Sequence, residues 1–278
     1  MIDVKDIRFS YSAKQPLFNN LSLTLEGGHI YGFLGKNGAG KTTLLKNMVG
    51  LRFVTSGRCE AFGVDVRKRD PHVLNRIYFL PEEVWLPDVS IESYRKVYAG
   101  SWPTFNNDYF QHCLRSFDIN PTAKLKKMSF GQQKKAAISF ALATNVNVLL
   151  LDEPTNGLDI PSKGIFRKLA AELVDENRCI VLSTHQVRDL ETLIDTVVVL
   201  DEGRIVLNKS IEEICSTLYF STIATFEEPQ GVLYKELTPK GFSVITPNTS
   251  KKESKVDLET LFNLCTQQPK TILNLFNA

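Results

Sequence analysis

Gly35-Lys36-Asn37-Gly38-Ala39-Gly40-Lys41-Thr42 fits the pattern G-x-x-x-x-G-K-[ST] at every fixed position. An apolar run, Ile30 to Leu34, precedes it and reads as a buried strand. Thr43-Leu44-Leu45-Lys46-Asn47-Met48-Val49 follows it with helical spacing. Strand, glycine loop and helix in that order form the context in which this pattern cradles phosphate, and an ordinary glycine-rich turn has no need of it. The glycines let the backbone curl until successive N–H groups point inward, and the helix N-terminus adds its partial positive charge. In such a loop Lys41 reaches the β- and γ-phosphates of a nucleotide, and the Thr42 hydroxyl ligates Mg²⁺. The predicted phosphate site runs from Gly35 to Thr43.

Downstream, Val148-Leu149-Leu150-Leu151-Asp152-Glu153 supplies a buried strand that ends in acid. Asp152 sits where a carboxylate can hold the hydration shell of Mg²⁺. Glu153, one residue on, can polarise an attacking water as general base. Ser183-Thr184-His185 ends the next predicted strand. A lone histidine is usually structural, but this one falls at the carboxyl edge of a parallel sheet, where ligands bind, and can donate to a γ-phosphate. Met128-Ser129-Phe130-Gly131-Gln132 precedes an alanine-rich amphipathic helix. Ser129 reads as its N-cap and Gln132, three residues later, completes a capping box. Capping alone accounts for these residues; a capped helix N-terminus is also an anion site.

Bulk properties bound the rest. With 278 residues the chain suits one large or two unequal domains. A net charge of +2 is too mild to point to nucleic acid, and none is expected as a partner. Basic clusters at Arg67-Lys68-Arg69, Lys124 to Lys127 and Lys134-Lys135 read as solvated helix faces. The five cysteines are scattered and never spaced C-x-x-C, which argues against a disulfide framework or a zinc site and for a reducing compartment. The N-terminus lacks the apolar core of a signal peptide, and no run approaches the ~18 apolar residues of a membrane span.

From the phosphate loop onward, short apolar runs alternate with amphipathic helices, the pattern of a parallel sheet covered on both faces. Predicted strands are Val146 to Leu151, Cys179 to Leu182 and Thr196 to Leu200. Predicted helices carry Ile165, Phe166, Leu169, Ala170, Leu173 and Val174 after Pro161, and Val187, Leu190, Leu193 and Ile194. The first sixty residues differ: Ile2 to Tyr11, Leu21 to Leu25 and Arg58 to Phe62 read as antiparallel strands. Between Pro87 and Met128 the texture is helical and aromatic, with Trp85, Tyr94, Tyr98, Trp102, Phe105, Tyr109, Phe110 and Phe117 in or beside it. These rings read as the core of an inserted subdomain, or else as a docking face. After about residue 210, Tyr219 to Phe226, Val232 to Leu237 and Phe242 to Thr246 read as strands. Pro247 to Ser254 reads as a mobile loop, and Asp257 to Gln267 as a helix halted before Pro269.

Taken in order, the glycine loop, Ser129-Phe130-Gly131-Gln132, Asp152-Glu153-Pro154, Gly157-Leu158-Asp159 and His185 resemble the ATP-binding subunit of an ABC transporter. The resemblance covers roughly residues 1 to 208. It implies an α/β fold: a P-loop NTPase (RecA-like) parallel sheet with an antiparallel β-subdomain and an inserted helical subdomain at about 85–140. A small α+β accessory domain, 209–278, follows the 1–208 ATP-binding domain. The resemblance further implies ATP and Mg²⁺ as ligands and a head-to-tail dimer, homodimer or heterodimer. Each ATP is then held between one subunit's phosphate loop and the other's signature segment. On that reading Ser129, Gly131 and Gln132 contact ATP across the dimer and Asp159 sits at the crossing. Tyr11 matches the adenine-stacking aromatic, with Phe9 as a second candidate; Glu153 matches the catalytic base and His185 the switch histidine. Integral membrane permease subunits are the implied partners, placing the chain in the cytoplasm on the inner face of the membrane.

Two departures stand out. The family usually has glutamine after the strand ending at Leu80, whereas this chain reads Leu80-Pro81-Glu82-Glu83, so Glu82 is a further candidate metal ligand beside Thr42 and Asp152. Phe130 replaces the commonest glycine of the signature and is expected to face away from phosphate. Leu80-Pro81-Glu82-Glu83, the aromatic insert and the tail look most like bacterial exporter ATPases with separate permeases. A soluble ATPase of ribosomes resembles two cassettes in tandem, and only one P-loop occurs here. A chromosome-organising ATPase has a long coiled coil between P-loop and signature, for which Lys41 and Ser129 lie too close.

Overall fold

The computed structural model describes residues 1–12, 15–224, 231–239 and 241–276. The chain opens with antiparallel strands β1 (Ile2–Phe9) and β2 (Phe18–Leu25), then enters β3 (His29–Leu34), the glycine loop and α1 (Lys41–Met48). Strands β4 (Ser56–Ala61) and β5 (Val64–Asp65) return to the first pair, giving an antiparallel sheet ordered β2-β1-β4-β5. After α2 (Pro71–Leu74), β6 (Ile77–Leu80) joins a second sheet. The helical insert follows: α3 (Ile91–Tyr98), α4 (Asn107–Ser116) and α5 (Phe130–Ala143). Then β7 (Val148–Asp152), α6 (Ile160–Ala171), β8 (Cys179–Thr184), β9 (Thr196–Asp201) and β10 (Arg204–Ser210) complete a six-stranded sheet ordered β10-β9-β3-β8-β7-β6. Its pairs are parallel except β10 against β9.

This sheet separates two cores, and the alternation of side chains along each strand assigns them. Tyr31 and Phe33 of β3, Leu150 of β7 and Val181 of β8 face a core shared with β1, β2, β4 and α1. Ile30, Leu34, Leu149, Leu151 and Ile180 face the other, built with α4, α5 and α6. Central strands with both faces covered are continuously apolar, which is why β7 and β8 are buried at every position. In the insert, Phe140 of α5 is fully buried, with the rings of Tyr94, Phe105 and Trp102 at 5.0, 5.1 and 5.9 Å. Truncating so enclosed a phenylalanine typically costs about 3–5 kcal/mol. Most of the insert's rings are therefore core, while Trp85 and Tyr98 remain exposed.

Residues 187–194 correct the expected helix. Only Val187–Asp189 forms a single 3₁₀ turn. The carboxylate and the carbonyl of Asp189 are taken by Lys163 and Arg167 of α6 at 2.6 and 3.0 Å, and Asp195 N donates to Ile30 O. Tertiary bonds thus claim groups that an α-helix would use internally.

The C-terminal segment contains α7 (Ile211–Thr217), β11 (Leu218–Ile223), β12 (Tyr234–Thr238), β13 (Gly241–Pro247), α8 (Leu258–Gln267) and α9 (Pro269–Phe276). The strands form a sheet ordered β11-β13-β12. The strand expected over Tyr219 to Phe226 ends at Ile223, and its residues 225 and 226 lie outside the described residues. Pro269 does not merely stop a helix; it begins α9, whose first turn needs no N–H from it. The stretch expected to be mobile, Pro247 to Ser254, is tied down. Asn248 Nδ2 donates to Cys215 O and Lys252 O, and Ser254 Oγ accepts from Phe220 N. Leu261, Leu264 and Ile272 join the same buried cluster as α5 and α6, and the boundary expected at 208/209 falls inside β10.

Candidate nucleotide-binding site

The carboxyl ends of β3, β7 and β8 lie side by side, because β3 pairs with β8 and β8 with β7. Parallel register therefore delivers the glycine loop, Asp152-Glu153 and Ser183-Thr184-His185 to one edge. They enclose a cavity of about 520 Å³, within the range of small-ligand sites. Tyr11, Leu17, Lys36, Asn37, Gly38, Gly40, Lys41, Thr42, Thr43, Glu82, Glu153 and His185 line it. Gly35 and Ala39 complete the loop behind them. Gly40 holds the left-handed conformation at φ +104°, and a Cβ there would come within 2.7 Å of the Phe18 ring. Only glycine lets the chain enter α1 at that angle.

Lys41 is almost completely buried. Its Nζ donates to Gly35 O at 2.7 Å and lies 3.9 Å from Glu153 Oε1. Burial pushes its ammonium below the ordinary lysine value, and the carboxylates of Glu153, Asp152 and Glu82 oppose that shift. Thr42 Oγ1 donates to Asp152 Oδ2 at 2.6 Å, and Ser183 Oγ donates to Asp152 Oδ1. A hydroxyl and a carboxylate oxygen in contact are hard oxygen donors that suit Mg²⁺, which typically takes one or two carboxylates and completes its shell with water and phosphate. Thr42 and Asp152 therefore fit that ion, and the Glu82 carboxylate lines the same cavity.

Glu153 stands in the left-handed region at φ +46°, uncommon for a side-chain-bearing residue. The conformation is fixed by its N–H, which donates to Ser183 O at 3.1 Å. It aims the carboxylate back over the sheet edge, where His185 Nδ1 lies 2.8 Å from Oε1. A neutral imidazole sharing its Nδ1 proton this way keeps Nε2 as an acceptor, and a charged one donates from both nitrogens. Glu82 Oε1 accepts from Asn156 Nδ2 at 2.7 Å, and Lys134, a fully buried lysine of α5, donates to Glu82 O at 2.8 Å. Burial also pushes Lys134 below its ordinary value.

Tyr11 and Phe9 separate cleanly. Phe9 is core, packed edge-on against Tyr11 at 5.0 Å, whereas Tyr11 is 61% exposed at the cavity mouth. The Tyr11 hydroxyl is 2.7 Å from Thr43 Oγ1, which ties the ring to the start of α1.

Ser129, Gly131, Gln132 and Asp159 do not line this cavity. They form a separate cluster where α5 and α6 begin. Ser129 N donates to Gln132 Oε1 at 3.0 Å and Gln132 N to Ser129 Oγ at 3.3 Å, the full capping box. Asp159 caps α6 by accepting from Ser162 N; the Ser162 hydroxyl first, and then this N–H, hold its carboxyl below the usual range, and Lys135 stands 3.6 Å away. Phe130 lies against Gly157, where any Cβ would collide with its ring. The sequence reading missed Ser183 and Asn156 as supports, and it took Lys134 for part of a solvated helix face, whereas that lysine is fully buried against Glu82. Only Ser183 left a signal, a hydroxyl at a strand end in register with Asp152.

The sequence pattern described as "ABC transporter" matches residues 18–156. The chain is 25% identical over 215 residues to the ABC transporter ATP-binding protein YtrB of Bacillus subtilis, spanning 77% of this chain and 73% of that protein. It is 31% identical over 209 residues to the Nod factor export ATP-binding protein I of Burkholderia lata, spanning 73% of this chain and 68% of that protein. A solved structure described as the ATP-binding subunit of an ABC transporter superposes with a TM-score of 0.70 at 23% identity. It covers 77% of this chain and 91% of its own. That likeness bears on the fold.

Proposed function

Because the chain belongs to the ABC transporter family as an ATP-binding, ATP-hydrolysing subunit, we propose that it powers a bacterial-type exporter through ATP-driven dimerisation on a separate permease. The observation that carries this reading is the division of the predicted site residues into two clusters. One holds the phosphate loop, Thr42, Asp152, Glu82, Glu153 and His185 around a single cavity. The other, Ser129, Gly131, Gln132 and Asp159, caps helix ends elsewhere on the same chain. A second copy placed head to tail would bring its signature cluster to the first copy's cavity.

In this reading the N–H groups at the start of α1 and Lys41 grip the β- and γ-phosphates, and Tyr11 stacks on the adenine. Thr42 and Asp152, with Glu82 of the same cavity, would hold Mg²⁺, which supplies neutralisation of phosphate charge. Glu153 takes the proton of the attacking water, and its contact with His185 holds the carboxylate in place. Ser129, Gly131 and Gln132 bind the γ-phosphate from the other subunit, so its loss on hydrolysis lets the two part. The helical insert, with Trp85 and Tyr98 exposed, moves with closure and faces the permease. Among the described residues no helix is long and apolar enough to cross a membrane, so permease subunits provide that part in this reading. The chain then sits on the cytoplasmic face. Export as the direction is supported by likeness to the Nod factor export protein.

The test is Glu153→Gln. We expect ATP binding within about threefold of wild type, turnover reduced at least ~100-fold, and a dimer on size exclusion only with Mg-ATP. Normal hydrolysis would remove Glu153 as base. A strictly monomeric variant, alone and with its co-purifying permease, would remove dimerisation.

A further inference from the structure

The loop that follows His185 has little regular structure of its own and takes its position from its neighbours. Asp189 is held from α6 by Lys163 at 2.6 Å. On the opposite side lies α8 of the C-terminal segment, packed against the turn at Val187–Asp189 and against β9 and β10. Arg188 Nε donates to Glu259 Oε2 at 2.7 Å, and Lys255 Nζ lies 3.1 Å from Glu191 Oε1. From the same helix, half-buried Phe262 lines a cavity of about 220 Å³ with Gly35, Lys36, Asn37, Thr184 and His185. One ring thus borders both the phosphate loop and the histidine that contacts Glu153. The ion pairs are exposed and contribute little in water, so the packed ring is the stronger constraint.

We propose that Phe262 is a positioning residue for ATP hydrolysis: from the C-terminal segment it sets where His185 stands relative to Glu153 and the phosphate loop. The proposal rests on reading His185 as a working part of the hydrolytic site. Its physical basis is that displacements on the order of an ångström in a catalytic constellation cost about one to two powers of ten in rate. It also gives the accessory segment a role, since movement of α8 reaches the site through the Phe262 ring, with the Arg188–Glu259 pair as a weaker link.

The test uses the full chain and four variants: Phe262→Ala, Phe262→Leu, His185→Ala, and Phe262→Ala with His185→Ala. We expect Phe262→Ala to lower kcat about tenfold with the Kd for ATP within about threefold, and Phe262→Leu to recover most of the loss. In the His185→Ala background the second substitution should cause less than about a twofold further fall, because its effect passes through the histidine. A tenfold fall that persists in that background overturns the proposal, as does wild-type turnover of Phe262→Ala. Wild-type turnover of His185→Ala alone overturns instead the reading on which the proposal rests, and the two failures are told apart by that single variant. Should Phe262→Ala not fold, Phe262→Val decides: kcat should fall about three- to tenfold with the Kd for ATP within about threefold, and the fall should shrink below about twofold in the His185→Ala background. Wild-type turnover of Phe262→Val, or a fall that persists without His185, overturns the proposal.

Discussion

Thr42 Oγ1 donates to Asp152 Oδ2 at 2.6 Å, joining the first turn of α1 to the end of β7 across 110 residues of sequence. The second oxygen of the same carboxylate accepts from Ser183 Oγ on β8. Three elements that carry the site are therefore fastened through one buried acid.

Asp152→Asn keeps the shape but removes the charge and turns one acceptor into a donor, so the Thr42 and Ser183 hydroxyls cannot both be satisfied as before. We expect the Kd for ATP in the presence of Mg²⁺ to rise at least about tenfold, the scale of losing a metal-site contact. With EDTA the affinities of wild type and variant should converge to within about threefold. Isothermal titration with and without Mg²⁺ checks this, and an equal loss in EDTA would remove Asp152 from metal binding.

Tyr11 is exposed at the cavity mouth and anchored to Thr43 through its hydroxyl at 2.7 Å. Stacking of a base on an aromatic ring is worth about 1–3 kcal/mol, so Tyr11→Ala should weaken ATP binding by roughly 5- to 150-fold. Tyr11→Phe keeps the ring and loses only the tie to Thr43, and should stay within about threefold. Fluorescence titration of both variants decides. Equal weakening would mean that the hydroxyl, not the ring, is what matters.

Burial pushes the thiols of Cys59, Cys113, Cys179 and Cys265 up from 9.0 to about 12. Between these values the native state keeps protons that the unfolded chain releases. Their contribution to stability is therefore full below pH 9 and lost as pH rises through that window. Urea unfolding from pH 8 to 10.5 should show falling stability, and Cys179→Ala should flatten the fall by up to about 1 kcal/mol per pH unit while lowering stability at pH 8. At pH 8 a thiol reagent should label half-buried Cys215 first and the four buried thiols only on unfolding.

The phosphate loop, the acidic end of β7 and the capping box before α5 were legible in the chain because each is local. A glycine at a left-handed turn, a run of apolar residues ending in acid and a serine three residues before glutamine carry their structure in their own neighbourhood. The parallel sheet followed from apolar runs too continuous for strands with a wet face. Residues 187–194 misled because their periodicity is genuine but the Asp189 carbonyl is claimed by Arg167 of α6, and Asp195 N, just beyond, by Ile30 of β3. Pro247 to Ser254 misled because polarity suggests mobility only until a side chain such as Asn248 ties the loop to Cys215.

What the tertiary structure alone decided is which of these local pieces meet. Asn156 and Lys134 reach Glu82 from 74 and 52 residues away, and Phe262 reaches the loop of His185 from a segment that carries no motif. No pattern of neighbours in sequence encodes such contacts, since they arise from strand order and from how helices settle on the sheet. The sequence determined that this chain has a glycine loop between a strand and a helix and acids at a strand end. Packing determined that Glu153 is turned onto His185, that Tyr11 rather than Phe9 faces the cavity, and that the signature cluster stands apart from it.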